Sequence, residues 1–143
     1  MLSNTSKYAL RAVIYLALYT SADKKAGIKE ISAELGIPTP FLGKILQVLA
    51  RHNILNSAKG PNGGFNLQRS AIDISLMEIV EIMDGTDGFD TCVIRTERCN
   101  HSAPCSIHDK ISPLRQEMKR IFLTETIADL ATEFREGKER IRI

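Results

Sequence analysis

The 143-residue sequence predicts a mainly α protein with one small β-hairpin. Apolar residues recur at spacings of three and four along most of the chain, which is the period of an amphipathic α-helix. Two short strand-like runs flank a turn that is rich in glycine, as expected of a hairpin. The chain is long enough for one hydrophobic core and an oligomerising helix, but short for two independent domains.

Two helices open the chain. The first is predicted over residues 6–20, where apolar residues keep helical spacing and where Ser3 and Ser6 are available as caps. A loop over residues 21–27 separates it from a short second helix. That helix is predicted to end at Gly36, because glycine tolerates the left-handed conformation of a tight helix exit.

The third helix is predicted to have Thr39 as its N-cap and Pro40 in its first position, and to run to about His52. Its apolar stripe comprises Leu42, Ile45, Leu46 and Leu49. Two helices joined by a glycine-containing turn are typical of a helix-turn-helix, whose second helix lies in the DNA major groove. The residues of this helix expected to face DNA are Thr39, Pro40, Phe41, Gly43, Lys44, Gln47 and Arg51.

A β-hairpin is predicted directly after this helix pair, with strands over residues 54–58 and 64–67. A hairpin in this place makes the domain a winged helix-turn-helix. Lys59 at the tip is long enough to reach a phosphate or the minor groove, and Gly63 and Gly64 are expected to allow close backbone approach. The turn residues expected to contact DNA are Lys59, Gly60, Pro61, Asn62 and Gly63.

Three more helices are predicted in the second half. The fourth is capped by Ser75 and stops near Gly85, and the fifth carries an apolar seam with Pro113 expected to start or kink it. The residues of that seam are Ile111, Leu114, Met118, Ile121 and Phe122. A single helix must bury such a seam, so we expect it to pack against the same helix of a second copy. A last helix over residues 126–134 folds back, and a charged tail follows from Arg135.

The charges are distributed unequally along the chain. Residues 1–72 carry nine Lys or Arg and three Asp or Glu, a net +6, whereas residues 73–143 carry ten and fourteen, a net −4. A basic N-terminal half suggests an anionic partner, most commonly nucleic acid. The sequence shows neither a membrane-spanning run nor an export signal, and an odd number of cysteines favours the reducing cytoplasm.

All three cysteines lie close together, with a histidine beside them. Cys92, Cys99, Cys105 and His108 are separated by six, five and two residues. Such a cluster favours ligation or thiol chemistry over a framework of paired disulfides. Three thiolates and an imidazole supply the four ligands of a 2Fe–2S centre or of tetrahedral zinc, although zinc sites usually contain a tighter cysteine pair. His101 competes for the fourth position, and we expect it to be solvated or to support a ligand.

Several segments resemble a known family: Tyr8-Ala9-Leu10-Arg11-Ala12, the stretch from Ile31-Ser32 to Gly36-Ile37, and Lys59-Gly60-Pro61-Asn62-Gly63-Gly64-Phe65. With the cysteine cluster, they make residues 1–135 similar to the IscR/NsrR family of winged-helix regulators. The resemblance implies a homodimeric bacterial transcription regulator. Many members of that family hold an iron–sulfur cluster in the loop ahead of a long dimerisation helix.

The same resemblance implies a ligand set. In IscR-type relatives three cysteines and the histidine three residues after the last one bind a 2Fe–2S cluster, and Cys105 and His108 reproduce that spacing. Six residues in place of the usual five separate Cys92 from Cys99, so a 4Fe–4S cluster and zinc stay open. NsrR-type relatives can use an acidic residue of the first helix. This helix has none before Asp23, which favours His108.

The domains expected are a winged helix-turn-helix over residues 1–84, a cluster-binding loop over 85–108, and dimerisation and C-terminal helices over 109–143. The function expected is that of a homodimeric, double-stranded-DNA-binding repressor that senses redox state, nitric oxide or iron–sulfur status. A metal-free thiol–disulfide switch and a zinc-binding regulator are alternatives. A thiol enzyme is the remote alternative, because the Cys105–His108 pair has no evident pocket or orienting partner.

Overall fold

The computed structural model describes residues 2–137 and has the mainly α architecture with one hairpin that the sequence predicts. Helix α1, Asn4–Tyr19, is capped by Ser3, whose hydroxyl accepts a hydrogen bond from the Ser6 N–H. Its buried face packs against helices that follow later in the chain. The buried apolar residues of α1 are Ala9, Ala12, Val13, Ile14, Tyr15 and Leu16.

The helix-turn-helix consists of α2, Ile28–Leu35, and α3, Thr39–Arg51, joined through Gly36 at φ 72°. The Tyr15 hydroxyl donates to Glu30 at 3.0 Å and so fastens α1 to α2; burial and this bond raise the pKa of Tyr15. The predicted stripe of α3 is buried as expected.

The prediction that Thr39 caps α3 is wrong. Pro38 occupies the cap position, and Thr39 is already the first helical residue. The Thr39 hydroxyl is directed elsewhere, since it donates to the hydroxyl oxygen of Ser32 at 3.2 Å. The Ser32 hydroxyl in turn donates to the carbonyl of Ile37 at 2.6 Å, which fixes the turn between the two helices.

The wing is the antiparallel pair β1, Leu55–Ala58, and β2, Gly64–Leu67, in which Leu55 lies opposite Leu67. Its second strand is also attached to the loop before α2. Ala26 and Phe65 exchange backbone hydrogen bonds of 3.0 and 2.8 Å. This bridge attaches the hairpin to the loop that leads into the helix-turn-helix.

After a single 3₁₀ turn at Ala71–Asp73, helix α4, Leu76–Asp84, begins at Ser75 as predicted, because the Ser75 hydroxyl accepts from the Glu78 N–H. Helix α5, His108–Thr124, begins five residues before Pro113. Proline therefore does not start this helix. It lies inside it, and it removes the one hydrogen bond that its N–H would have donated to the preceding turn.

Helix α6, Ile127–Arg135, is the predicted last helix and begins with a capping box between Thr126 and Asp129. It folds back onto α1, and the Ile127 N–H donates to the Ile74 carbonyl at 2.9 Å. Residues 138–143, part of the predicted charged tail, lie outside the described residues. Within the part that is described, no helix is both long and apolar enough to cross a membrane.

The core has two parts. The larger joins α1, α2, α3, the hairpin, part of α4 and α6. The smaller consists of Met77, Val80 and Phe89, with Leu2, Leu10, Met118 and Phe122 packed around them. Phe89 belongs to the segment between α4 and α5, residues 85–107, which contains all three cysteines and is called the cysteine loop. The smaller cluster therefore anchors the cysteine loop to the helices.

Candidate DNA interface and cysteine loop

The outer face of α3 carries most of the residues predicted to face DNA. Thr39, Pro40, Phe41, Lys44, Gln47 and Arg51 are exposed. Gly43 differs, because it is half-buried and a Cβ added there would lie 3.2 Å from the Cδ1 atom of Ile28. Gly43 therefore lies against the start of α2. His52, at the end of α3, places Nδ1 2.9 Å from the Val48 carbonyl oxygen.

The wing tip presents Lys59, Gly60, Pro61 and Asn62 to solvent. At Gly63 and Gly64 the structure leaves no room for a side chain, because the protein's own backbone lies close to both residues. A Cβ at Gly63 would lie 2.4 Å from the Ala58 carbonyl oxygen, and one at Gly64 2.4 Å from the Ala26 carbonyl oxygen. The close approach at these glycines is to the protein's own backbone, and at Gly64 φ is also 130°.

The cysteine loop is a compact turn between α4 and α5. The Cys92 N–H donates to the Glu97 carbonyl at 2.9 Å, and the Cys99 N–H donates to the Asp90 carbonyl at 2.7 Å. These bonds fold residues 90–99 back on themselves and bring the first two cysteines onto opposite arms of one turn.

Two residues that the sequence interpretation missed hold this turn in place. Phe89 is buried and its ring lies 5.2 Å from that of Phe122 on α5. The Asp90 carboxylate accepts from Lys119 of α5 at 3.2 Å. Phe89 could have been identified as an anchor, because it is the one aromatic residue of residues 85–108. The partner of Asp90 could not, since it depends on where α5 packs.

Cys99, His108 and His101 form a chain of contacts. The Sγ atom of Cys99 lies 3.1 Å from Nδ1 of His108, and Nε2 of His108 lies 3.0 Å from Nδ1 of His101. The two rings meet edge-on at 4.7 Å, and His108 is only 7% exposed. When His108 is neutral and donates from Nε2 to His101, its Nδ1 atom is free to act as a ligand.

Cys92 and Cys105 form the second contact. Cys92 is 8% exposed, and the Cys105 side chain lies near enough to its thiol to help lower the pKa of Cys92. Hydrogen bonds from the backbone N–H groups of Arg95 and then Ile94 lower the pKa of the Cys92 thiol below its usual value. All three cysteines are free thiols, as a ligand or redox role requires.

The four predicted ligands are thus brought together as two pairs, Cys92 with Cys105 and Cys99 with His108. Across residues 2–137 no three His, Cys, Asp or Glu side chains converge as ligands of a single metal ion. Each iron of a 2Fe–2S centre takes two terminal protein ligands, so two pairs match that donor set in number and type. A single zinc ion instead requires all four donors around one point.

The outer face of α5 is only partly covered. Met118 and Phe122 pack against the smaller core cluster, whereas Leu114 is 67% exposed. Ile121 and Leu123 are exposed as well. Beside Leu114 lies a cavity of about 520 Å³ that reaches Cys92. The predicted seam is therefore divided between packing within this chain and an apolar surface that the chain leaves open.

Comparisons with known proteins agree on one family. The sequence profile of the Rrf2 family, described as an iron-dependent transcriptional regulator, matches residues 2–133. A protein of Aquifex aeolicus described as an HTH-type transcriptional regulator is 34% identical over 130 residues, which are 90% of this chain and 89% of that protein. The regulator IscR of Cereibacter sphaeroides is 33% identical over 86 residues, 59% of this chain and 56% of that protein.

Solved structures share the fold at lower sequence identity. CymR of B. subtilis, titled a global cysteine regulator, superposes with a TM-score of 0.75 at 20% identity, covering 92% of this chain and 96% of that one. IscR of T. potens gives a TM-score of 0.73 at 21% identity, covering 97% of this chain and 91% of that one.

Proposed function

Because the chain belongs to the Rrf2 family of DNA-binding transcriptional regulators, we propose that its affinity for DNA is set by an iron–sulfur cluster. The proposed ligands are Cys92, Cys99, Cys105 and His108. The regulator acts as a homodimer and represses transcription, and the expected centre is 2Fe–2S. When bound, such a centre supplies a site that is sensitive to oxidants, nitric oxide and iron supply.

The observation that carries this proposal is the pairing of the four ligands. Two thiols meet at Cys92 and Cys105, and a thiol meets an imidazole at Cys99 and His108. Two donor pairs on one short loop suit a centre with two irons, each of which needs two protein ligands. His101 contacts Nε2 of His108 and so orients its ring, as a hydrogen-bond partner commonly does for a ligating histidine.

The loop is connected to the DNA-binding half through packed side chains. Phe89 lies in the smaller core cluster, against which Leu10 of α1 and Leu2, just before α1, also pack. Helix α1 in turn packs against α3. A change in the loop that displaces Phe89 can therefore alter the position of α3, and a shift between two loop conformations of different DNA affinity is all that regulation requires.

The exposed face of α5 supports a homodimer. Leu114 and the cavity beside Cys92 leave an apolar surface that a second copy of this helix would cover. We expect wild-type protein to be a dimer by light scattering, and Leu114→Lys to be a monomer. Ile72→Lys is the matched control, because Ile72 is equally exposed at 66% and lies in the 3₁₀ turn Ala71–Asp73. Loss of the dimer in both variants would contradict this interface.

The test is anaerobic reconstitution with iron and sulfide, followed by metal and sulfide analysis and an ultraviolet–visible spectrum. Wild-type protein should bind about two irons and two sulfides per chain, with the absorption of a 2Fe–2S centre. Cys105→Ser and His108→Ala should lose them, while His52→Ala should not. Absence of iron and sulfide from the wild-type protein, or zinc in their place, would refute the proposal.

The contact between Cys92 and Cys105 favours one second candidate, a metal-free thiol switch. The two thiols would lose two electrons and two protons to an oxidant such as peroxide, giving one disulfide and water. Mass spectrometry of peroxide-treated, cluster-free protein should then find Cys92 joined to Cys105, also in Cys99→Ser. A disulfide that always includes Cys99, or none, would exclude this switch.

A further inference from the structure

Phe41 is a large aromatic side chain that the folded chain leaves in solvent. Its side chain is 62% exposed, although the next residue, Leu42, is completely buried. Phe41 is the third residue of α3, and the exposed side chains closest to it along the helix are those of Thr39, Pro40 and Lys44.

The surroundings of Phe41 indicate what kind of surface it would contact. It borders a cleft of about 380 Å³ between the start of α1 and α3. Apolar parts of Tyr8, Pro38 and Ile45 form much of its wall, and Asn4, Thr5 and Lys44 bring polar and cationic groups to it. Polar and cationic groups therefore flank the ring. Residues 1–72 carry a net charge of +6, so the partner with complementary charge on this side of the molecule is a polyanion.

The position of Phe41 in α3 indicates which part of a DNA duplex its ring would contact. In helix-turn-helix proteins the N-terminal residues of the second helix are those that reach base edges in the major groove. A phenyl ring can neither donate nor accept a conventional hydrogen bond. Among the groups that the four base pairs present in that groove, the 5-methyl group of thymine is the apolar one that such a ring can cover.

We infer that Phe41 is a specificity-determining residue that selects thymine by packing against its 5-methyl group. The inference rests on α3 lying in the major groove, and it deepens that assignment by naming the base that one side chain reads. It is independent of the cluster. Burying one methyl group contributes about a fourfold gain in affinity, and two half-sites of a dimer therefore about fifteenfold.

The experiment isolates the methyl group. Wild-type protein first selects duplexes from a random-sequence library, and the selected duplex is then the probe. Each thymine is replaced in turn by deoxyuridine, which removes only the 5-methyl group. Wild-type protein should lose about fourfold in affinity at one thymine of each half-site. Phe41→Ala should bind the original duplex more weakly and show no further loss at that uracil, whereas Phe41→Leu should keep part of the difference.

The controls separate this inference from its premise. Ile72→Ala also removes an exposed apolar side chain, away from α3, and should respond to deoxyuridine as the wild type does. A duplex whose thymines can all be replaced without loss would overturn the role of Phe41, and so would a loss that persists in Phe41→Ala. Failure to select any duplex would instead contradict DNA binding itself, and the inference with it. If Phe41→Ala folds poorly, the absence of any loss in the wild-type scan still overturns the inference, and Phe41→Leu then serves to assign a loss to this side chain.

Discussion

Ser3, the N-cap of α1, is hydrogen-bonded to Asp84, the last residue of α4, 81 positions later in the sequence. The Ser3 N–H donates to Oδ2 of Asp84 at 3.0 Å, and the Ser3 hydroxyl donates to Oδ1. The same hydroxyl accepts from the Ser6 N–H and thereby caps α1. One serine therefore fixes the start of the central helix to the point where the cysteine loop begins.

The hydrogen bonds from Ser3 to Asp84 predict that Asp84 makes a pH-dependent contribution to the stability of the fold. Burial raises the pKa of Asp84 and the hydrogen bonds from Ser3 lower it, with a net shift below the usual 3.8. The ionised form is thus favoured in the folded protein, so the stabilisation is complete above about pH 4 and is lost as pH falls through the lowered pKa. Asp84→Asn should lower the free energy of unfolding by about 1 kcal/mol at pH 7, measured in urea.

The control for this prediction is the pH series itself, because asparagine resembles the protonated acid. The difference between wild type and Asp84→Asn should shrink as the pH is lowered below 4. If the difference in free energy of unfolding stays constant from pH 7 to pH 3, the charge of the Asp84 carboxylate does not stabilise the contact with Ser3.

Gly64 is predicted to be indispensable for the wing. Alanine there would place Cβ 2.4 Å from the Ala26 carbonyl oxygen, at a φ of 130° that side chains rarely adopt. Gly64→Ala should destabilise the protein by about 2 kcal/mol or more, measured by chemical unfolding. Gly27→Ser is the control, since a Cβ there meets nothing within 4 Å and serine is a good N-cap for α2. Equal stability of the two variants would argue against the wing geometry.

Lys59 is predicted to contact DNA phosphate from the tip of the wing. Lys59→Ala should weaken binding to every duplex to a similar degree. It should also lower the number of ions released on binding by about one per subunit, hence about two for the dimer. Binding is measured by fluorescence anisotropy at several salt concentrations. Lys110→Ala removes an exposed lysine at the start of α5 and should leave the slope unchanged. An unchanged slope for Lys59→Ala would remove the wing tip from the interface.

His101 is predicted to position His108 and not to replace it. His101→Ala removes the partner of His108 Nε2, and such a loss lowers the affinity for a bound metal centre by about tenfold or more. His108→Ala should abolish loading under the same conditions. Both are measured by iron and sulfide content during titration with a chelator. If His101→Ala loses the centre completely while His108→Ala retains it, the two roles are reversed.

Local sequence signals were sufficient for most of the fold. Caps at Ser3 and Ser75, the left-handed Gly36 and the stripe of α3 all lie where the sequence predicts them. The family match confirms the resemblance to winged-helix regulators that three short segments carry. These features depend on neighbours within a few residues, which is why their pattern can be read from the chain alone.

The features that the sequence did not predict depend on long-range packing. Gly64 is required because Ala26, 38 positions earlier, approaches it in the wing, and neither residue indicates the other. The same is true of Ser3 with Asp84 and of Asp90 with Lys119. The spacing of the four candidate ligands also gave no indication that they would meet as two pairs, because each pair joins the turn over residues 90–99 to a residue outside it.

The most direct test of the regulatory proposal compares DNA affinity with and without the cluster. Anaerobically loaded protein and the same protein stripped by chelation are titrated against one selected duplex at constant salt. We predict affinities that differ by about five- to 150-fold, the usual range of coupling between two sites, and no difference for Cys105→Ser. Equal affinities for loaded and stripped wild-type protein would contradict the account.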